Sequence, residues 1–448
     1  MKRFAWVVGI GGIVGLAATA RADSGYPDNI PGISATAPGI TPEGILAPIS
    51  VVEGPGIKLG EGTVLHPIVG IESGYISNVF YDSAAEGTKG SGILRLVGQI
   101  GVGTLSPQRL VAAAPDADQS AAQNPGVLEY RADLRASYDF YLSGNSNVRA
   151  QDGLGLGAVL RGALFPKRTW SLFFLDNFQR LIRPTNFEST VNTNRDLNRL
   201  QLGIQFAPVG RSMMGLLHYE NVLDIFESDS QRFANRIQHS VGLTWSWRFR
   251  PVTVLFADVT QGIYSGLGAD SRKVDSYPLM AVAGLQTLLT LNTTLVGRVG
   301  YTNGFYSSGP SYSAVVGGVQ LGYRYVPTGR ITALYDYNHT DSINANFYRD
   351  HTVRLMLEQQ FVPFMVTLAP EARLRRYDGV TAVIPSGAPV RDDVILSLSV
   401  GLRYSFRDTI AAVAEYRIIS DKTDYRTPEG DDPSFVRHEA VAGVRVAL

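Results

Sequence analysis

The sequence predicts an all-β fold, a transmembrane antiparallel up-and-down β-barrel of about 18 strands, with 16 as the alternative count. Three observations predict it. Apolar and polar residues alternate in segment after segment from about residue 65 onward, and a period of two marks a strand with unlike faces. The links between those segments are alternately short and long. Aromatic residues gather at both ends of the segments, where a membrane barrel places its girdles.

The segment EYRADLRASYDFYL shows the alternation most clearly. Glu129, Arg131, Asp133, Arg135, Ser137 and Asp139 share one face; Tyr130, Ala132, Leu134, Ala136, Tyr138, Phe140 and Leu142 share the other. SVGLTWSWRF sets Val241, Leu243, Trp245, Trp247 and Phe249 against Ser240, Gly242, Thr244, Ser246 and Arg248. VVGGVQLGYRY, RITALYDYN and VILSLSVGLRYSF, beginning at Val315, Arg330 and Val394, repeat the pattern. Each is long enough for the roughly 9–11 residues that a tilted membrane strand needs. The segments near 169–181, 251–263 and 278–289 alternate less well.

Short links are expected at 166–168, 208–211, 248–251, 290–292, 327–329, 363 and 407–408. Long polar ones are expected at 183–195, 226–235, 264–276, 303–311, 340–350, 377–391 and 420–434. A soluble sandwich has no reason to alternate its loop lengths, whereas an outer-membrane barrel has short turns on one side and long loops on the other. The 105–125 link departs from the scheme, being long where a short turn is due. Phe165, Trp170, Phe206, Trp245, Trp247, Phe249, Tyr323, Tyr325, Phe361, Phe364, Tyr404 and Phe406 flank the short links. Tyr75, Tyr138, Phe140, Tyr264, Tyr301, Tyr337, Tyr377 and Tyr416 flank the long ones.

Three segments divide the chain. Residues 1–22 read as a secretory signal: Lys2 and Arg3, an apolar run from Phe4 to Ala18, then Ala20-Arg21-Ala22. Residues 23–60 are rich in Pro and Gly and are expected to form a flexible periplasmic segment. Residues 61–448 form the barrel. No later run holds the roughly 18 uncharged apolar residues of a membrane helix. The 40 basic residues are almost all Arg, and Cys is absent, so disulfides and Cys-ligated metals are excluded. Loss of the signal leaves three more acidic than basic residues, which argues against a nucleic-acid partner.

The chain ends FVRHEAVAGVRVAL, again alternating. Gly443, Val446 and Leu448 match the C-terminal signal read by the barrel assembly machinery, with Leu448 replacing the usual aromatic and Val441 where a polar residue is common. The stretch GIKLGEGTVLHPIVGIESGYISNVFYDS, with Ser77 to Tyr81 at its outer end, and the strand LYDYNHTDS from Leu334 resemble the β-barrel porin (type 2) family of Gram-negative bacteria. The resemblance covers residues from about 57 to the end. It implies an outer-membrane barrel, with some members linked to exopolysaccharide production and export. It carries no catalytic residues.

Parity then assigns a lumen wall. Arg95, Arg131, Arg135, Arg161, Arg199, Arg248, Arg298, Arg324, Arg354, Arg373, Arg375, Arg403, Arg417, Arg437 and Arg445 are expected inside. Their acidic companions are Glu72, Glu129, Asp133, Asp139, Glu220, Asp336, Glu358, Glu371, Glu415 and Glu439. The excess of guanidinium suits a porin-like channel for anionic solutes or exopolysaccharide. The same residues also suit a cross-strand ladder that stiffens the wall. A plugged or closed barrel with a structural or surface role is the competing reading, and an outer-membrane hydrolase a weaker one.

An enzyme is not expected. His438-Glu439 lacks the second His of a zincin helix, and no Lys sits in a phosphate loop. His339 with Asn338 and Ser342 is the one cluster resembling a triad. No cofactor or metal site is expected, although the acidic loop 421–434 could bridge lipopolysaccharide through divalent ions. The expected partners are outer-membrane lipid, lipopolysaccharide, the assembly machinery and components of polysaccharide export.

Overall fold

The computed structural model describes residues 56–448 except 61–62, 85–86, 105–126, 167, 183–193, 209–211, 269–270, 343–344, 381–389, 425–431 and 433. The signal segment, most of the Pro- and Gly-rich segment and the 105–125 link therefore lie outside the described residues.

Nineteen strands pair antiparallel in one sheet. The first half comprises β1 (Ile57–Gly60), β2 (Thr63–Ile76), β3 (Ser91–Gly103), β4 (Leu128–Leu142), β5 (Gly153–Leu164), β6 (Trp170–Leu181), β7 (Arg195–Phe206), β8 (Met213–Phe226) and β9 (Arg236–Arg250). The second comprises β10 (Thr253–Gly266), β11 (Leu279–Thr290), β12 (Thr293–Asn303), β13 (Ser313–Val326), β14 (Gly329–Asp341), β15 (Ala345–Phe361), β16 (Phe364–Val380), β17 (Val390–Arg407), β18 (Ile410–Thr423) and β19 (Phe435–Ala447). Each strand from β2 to β19 pairs with its neighbours in the chain, and β19 returns to β2 through Ala447↔Ile68 to Glu439↔Ile76. The result is a closed up-and-down barrel of 18 strands, as the alternation predicts. Closure leaves no open edge for lipid to meet.

Two features brace the seam between β19 and β2. Gly74 and Gly443 face each other's strands so closely that an added Cβ would sit 2.7 Å from Val441 Cα and from Glu72 Cα, respectively. A side chain there must push the backbones apart. We therefore expect Gly443→Val to lower the yield of assembled barrel, read as loss of the heat-modifiable band on a gel. Gly297→Ala, at a position with open space around the missing Cβ, should leave that band unchanged. The second brace is β1, within the segment read as a Pro- and Gly-rich extension. It pairs with β2 through Ile57↔Leu65 and Lys58↔Val64, on the edge that β19 vacates. Pro67 lies between, its carbonyl accepting from Leu448 N at 3.1 Å. Proline has no N–H for the ladder, and here the ladder ends.

The outward face is apolar and girdled twice. Near the short turns Trp170, Trp245, Trp247, Phe249, Tyr323, Phe361, Phe364 and Phe406 are exposed. Toward the long loops Tyr75, Phe140, Tyr301 and Tyr416 are exposed in the same way. Three cross-strand pairs there repeat one geometry. Tyr219, Tyr335 and Tyr416 hydroxyls meet Nδ1 of His239, His351 and His438 at 2.7, 3.0 and 2.9 Å. In each, the Tyr reaches a His one rung nearer the long loops. The phenol tip is thereby turned toward the wet side of the interface.

Three expectations need correction. Tyr264 and Tyr377 are not in the outer girdle; they are 4% and 3% exposed and point inward. There they lie under guanidinium groups, Arg236 over Tyr264 and Arg391 over Tyr377, with ring centroids at 5.8 and 5.1 Å. Nor is 340–350 a loop. β14 runs to Asp341 and β15 starts at Ala345, because Tyr337↔His351 and His339↔Arg349 continue the ladder past the apolar zone. At this rim Tyr306, in the β12–β13 connection, donates to Asp341, and Lys273 donates to the Ser342 carbonyl at 2.9 Å. Burial and the nearby Asp341 charge push the Tyr306 phenol well above its usual range, so it keeps the proton it donates.

The weakly alternating segments are strands β6, β10 and β11. Their inward faces carry apolar residues, Leu175, Phe256, Met280 and Val282, and β6 turns Asp176 and Arg180 outward. This mixing blurs the pattern without breaking the parity.

Candidate channel lumen

Strand parity builds the inner wall. In β4 the even positions Leu128, Leu134, Phe140 and Leu142 are exposed to the outside, so the odd positions face in. The register carries that assignment around the barrel, since residues paired directly share a face. It places Arg95, Arg131, Arg135, Arg161, Arg199, Arg248, Arg298, Arg324, Arg354, Arg373, Arg375, Arg403, Arg417, Arg437 and Arg445 on the inward face. Glu72, Glu129, Asp133, Asp139, Glu220, Asp336, Glu358, Glu371, Glu415 and Glu439 lie there too.

The wall also carries charges that parity reading missed: Arg195, Arg236, Arg330 and Arg391, with Asp224, Asp258, Asp350, Asp393 and Asp421. The added carboxylates narrow the excess of arginine, which remains.

Register converts most of these charges into pairs. Opposite charges meet directly across strands at Arg95↔Asp139, Arg354↔Glu371, Arg375↔Asp350 and Arg236↔Asp224. Cross-strand partners stabilise when unlike and destabilise when alike. One chain of contacts climbs the β14–β18 wall. Arg330 Nε reaches Glu358 at 2.7 Å, and Arg354 Nε reaches Glu371 at 2.7 Å. Glu371 also accepts from Arg373 at 2.8 Å, and Asp350 accepts two bonds from Arg375 at 2.9 and 2.8 Å. Arg391 meets Asp393 at 2.7 Å and approaches Asp421 at 3.9 Å.

A second cluster crosses the seam. Arg95 forks onto Asp139 at 2.7 and 3.0 Å, and Arg445 donates to Glu72 at 2.9 Å. On β7 to β9, Asp224 is held between Arg195 at 3.2 Å and Arg236 at 2.7 Å, with all three almost wholly buried. Tyr264 closes the top of this trio. The same side chains therefore stiffen the wall, as the ladder reading expects.

One inward register breaks the rule of unlike partners. Arg131 on β4 stands directly opposite Arg161 on β5. Asp133 accepts from Arg131 Nε at 2.7 Å, and Arg161 is exposed to the interior. The pair lies near the short-turn end, at the level where β9, β13 and β17 present Arg248, Arg324 and Arg403. Carboxylates at that level are fewer: Glu129, Asp133 and Glu358. The ladder reaches the short-turn end only at Arg330–Glu358 and is densest in the middle and the long-loop half, and the short-turn mouth is basic.

The triad-like cluster does not converge. Asn338 faces in, whereas His339 faces out, stacked on Tyr312 at 4.7 Å and beside Phe347. Ser342 is buried, its hydroxyl accepting from Ala345 N at 3.1 Å. Gly443 and Val446 take their places in the closing strand, and Leu448 ends it. Most of the acidic 421–434 loop lies outside the described residues.

No family model matches this sequence, and no curated protein matches it. Among solved structures, the chain is similar to OpdO of Pseudomonas aeruginosa, at 11% identity and a TM-score of 0.47, covering 86% of this chain and 97% of that one. It is similar to OccK1 (OpdK) of the same organism at 9% identity and a TM-score of 0.47, covering 87% and 99%. OccAB3 of Acinetobacter baumannii follows at 12% identity and a TM-score of 0.42, covering 86% and 99%. At such identities the likeness is one of backbone architecture.

Proposed function

We propose that the protein is a porin-like channel of a Gram-negative outer membrane that passes small anionic solutes. The observation that carries this reading is the Arg131–Arg161 crossing on the inner wall, set in a basic short-turn mouth. Two guanidinium groups on one rung concentrate positive charge on that part of the wall. Guanidinium forks match carboxylates and phosphates, and rings of Arg select for anions. The strand count supports it as well: barrels of 16–18 strands are wide enough to hold water. Two aromatic girdles and the asymmetry of turns and loops support an outer-membrane placement, with the short turns in the periplasm.

The test is single-channel recording of the refolded mature chain in a planar bilayer. Steady conductance with a reversal potential favouring chloride over potassium is the expected result. A uronate-rich polysaccharide added on the short-turn side should reduce the current, because its carboxylates repeat the ligand that the mouth prefers. Absence of current from a correctly assembled barrel would refute the channel and leave the structural role.

A further inference from the structure

A second register breaks the rule of unlike partners, and it lies on the outside. Arg349 of β15 stands directly opposite Arg376 of β16. On the far side of Arg376 comes Asp392 of β17, and the row beneath reads His351, Leu374, Val394. Together these side chains border a groove of about 370 Å³ in the outer wall.

The guanidinium groups are loosely held. Arg349 Nε is 3.6 Å from Asp378, and Arg376 Nε is 3.8 Å from Asp392. Both distances exceed a hydrogen bond. The two arginine side chains keep 36% and 45% of their surface open. The carboxylates steady the arginines from the flanks, and both arginines line the groove. His351 is fixed below them, bonded to Tyr335 through Nδ1 and stacked on Tyr337 at 4.3 Å.

Height decides what meets this groove. At about 3.3 Å per residue and a tilt of about 40°, the climb from Phe364 in the lower girdle to Arg376 is roughly 30 Å. That is about one hydrocarbon thickness. The arginines therefore stand where lipid phosphates begin, and the exposed Leu374 and Val394 beneath them stand where acyl chains end.

We propose that this groove is a binding site for the phosphorylated headgroup of an outer-leaflet glycolipid, the chemistry of lipopolysaccharide. A phosphate bridges Arg349 and Arg376 through charge-assisted forks, and its acyl chains run down over Leu374 and Val394. The inference rests on the outer-membrane placement proposed above, and not on conduction.

The experiment uses the full mature chain, refolded in detergent and mixed with deep-rough lipopolysaccharide, with retention read by native mass spectrometry. One retained molecule per barrel is expected, with affinity falling at least tenfold in Arg349→Gln/Arg376→Gln. Dephosphorylated lipopolysaccharide should bind the wild type as weakly as the intact lipid binds the variant. Equal retention by the variant, or equal retention of phosphatidylglycerol, would overturn the proposal. Competition by millimolar inorganic phosphate without any lipid preference would reduce the site to one for free anion and overturn the lipid assignment. The variant's heat-modifiable band and conductance should be unchanged, which separates this site from folding and from the lumen. Loss of conductance in the wild type, with lipid binding intact, would strike only the channel reading.

Discussion

Replacing Asp224 by Asn should destabilise the assembled barrel more than any other single substitution in the inner wall. Asp224 is 2% exposed and lies between the buried Arg195 and Arg236. Removing its charge leaves two buried guanidinium groups with no carboxylate between them. Breaking a buried pair in this way costs about 3–5 kcal/mol. The expected result is a lower urea midpoint for unfolding from detergent micelles or lipid vesicles. Adding Arg195→Gln should restore part of the loss, because the double variant carries the same net charge of about +1 as the wild-type trio and the two sites couple. A midpoint within error of the wild type would show that the trio contributes nothing to the wall.

The second large effect concerns selectivity. Arg161→Glu combined with Arg131→Gln removes the like-charge crossing and replaces it with an acidic group beside Asp133. A unit charge about 4 Å from an ion contributes about 1 kcal/mol in water, so the preference for chloride over potassium should fall about tenfold at low salt. Screening should shrink the change at high salt. Reversal potentials in a salt gradient measure it directly. Arg373→Gln and Arg375→Gln offer the contrast. Both arginines are committed to Glu371 and Asp350 in the ladder, so their loss should lower stability and leave the reversal potential nearly unmoved. If the ladder substitutions shift selectivity and the mouth substitutions do not, the basic mouth is not the filter.

These contrasts also show what the sequence makes legible. Parity placed Arg131, Arg161 and Arg403 on the inner face, because lipid demands an apolar residue at every second position of a spanning strand. It missed Asp350, Arg391 and Asp421 for a physical reason. These residues lie at the long-loop ends of their strands, where the outward neighbours are Arg349, Asp392 and Lys422. Above the hydrocarbon the outward face need not be apolar, so the contrast fades while the parity continues. Tyr264 and Tyr377 failed for a related cause: an aromatic residue near the rim serves equally as a girdle or as a platform for an arginine. Extending the period of two beyond each apolar run would have recovered the missed charges. Pairing is a different matter. That Arg131 meets Arg161, and Arg349 meets Arg376, depends on strand register, which no single segment encodes.

Because β1 occupies the edge of β2 at Leu65, the final strand has nowhere to slide. A shift of β19 by one residue toward the short turns would drive Arg437, Glu439 and Arg445 into lipid. A shift of two would keep every side chain on its own face, and so would escape that penalty. It would, however, alter the shear of the barrel, and with it the tilt of the strands and the bore they enclose. Ile57 holds the rung that Leu448 would need for the second shift, which makes β1 a stop against the cheaper error. The width of the barrel is thus gauged in part by the four residues of its shortest strand.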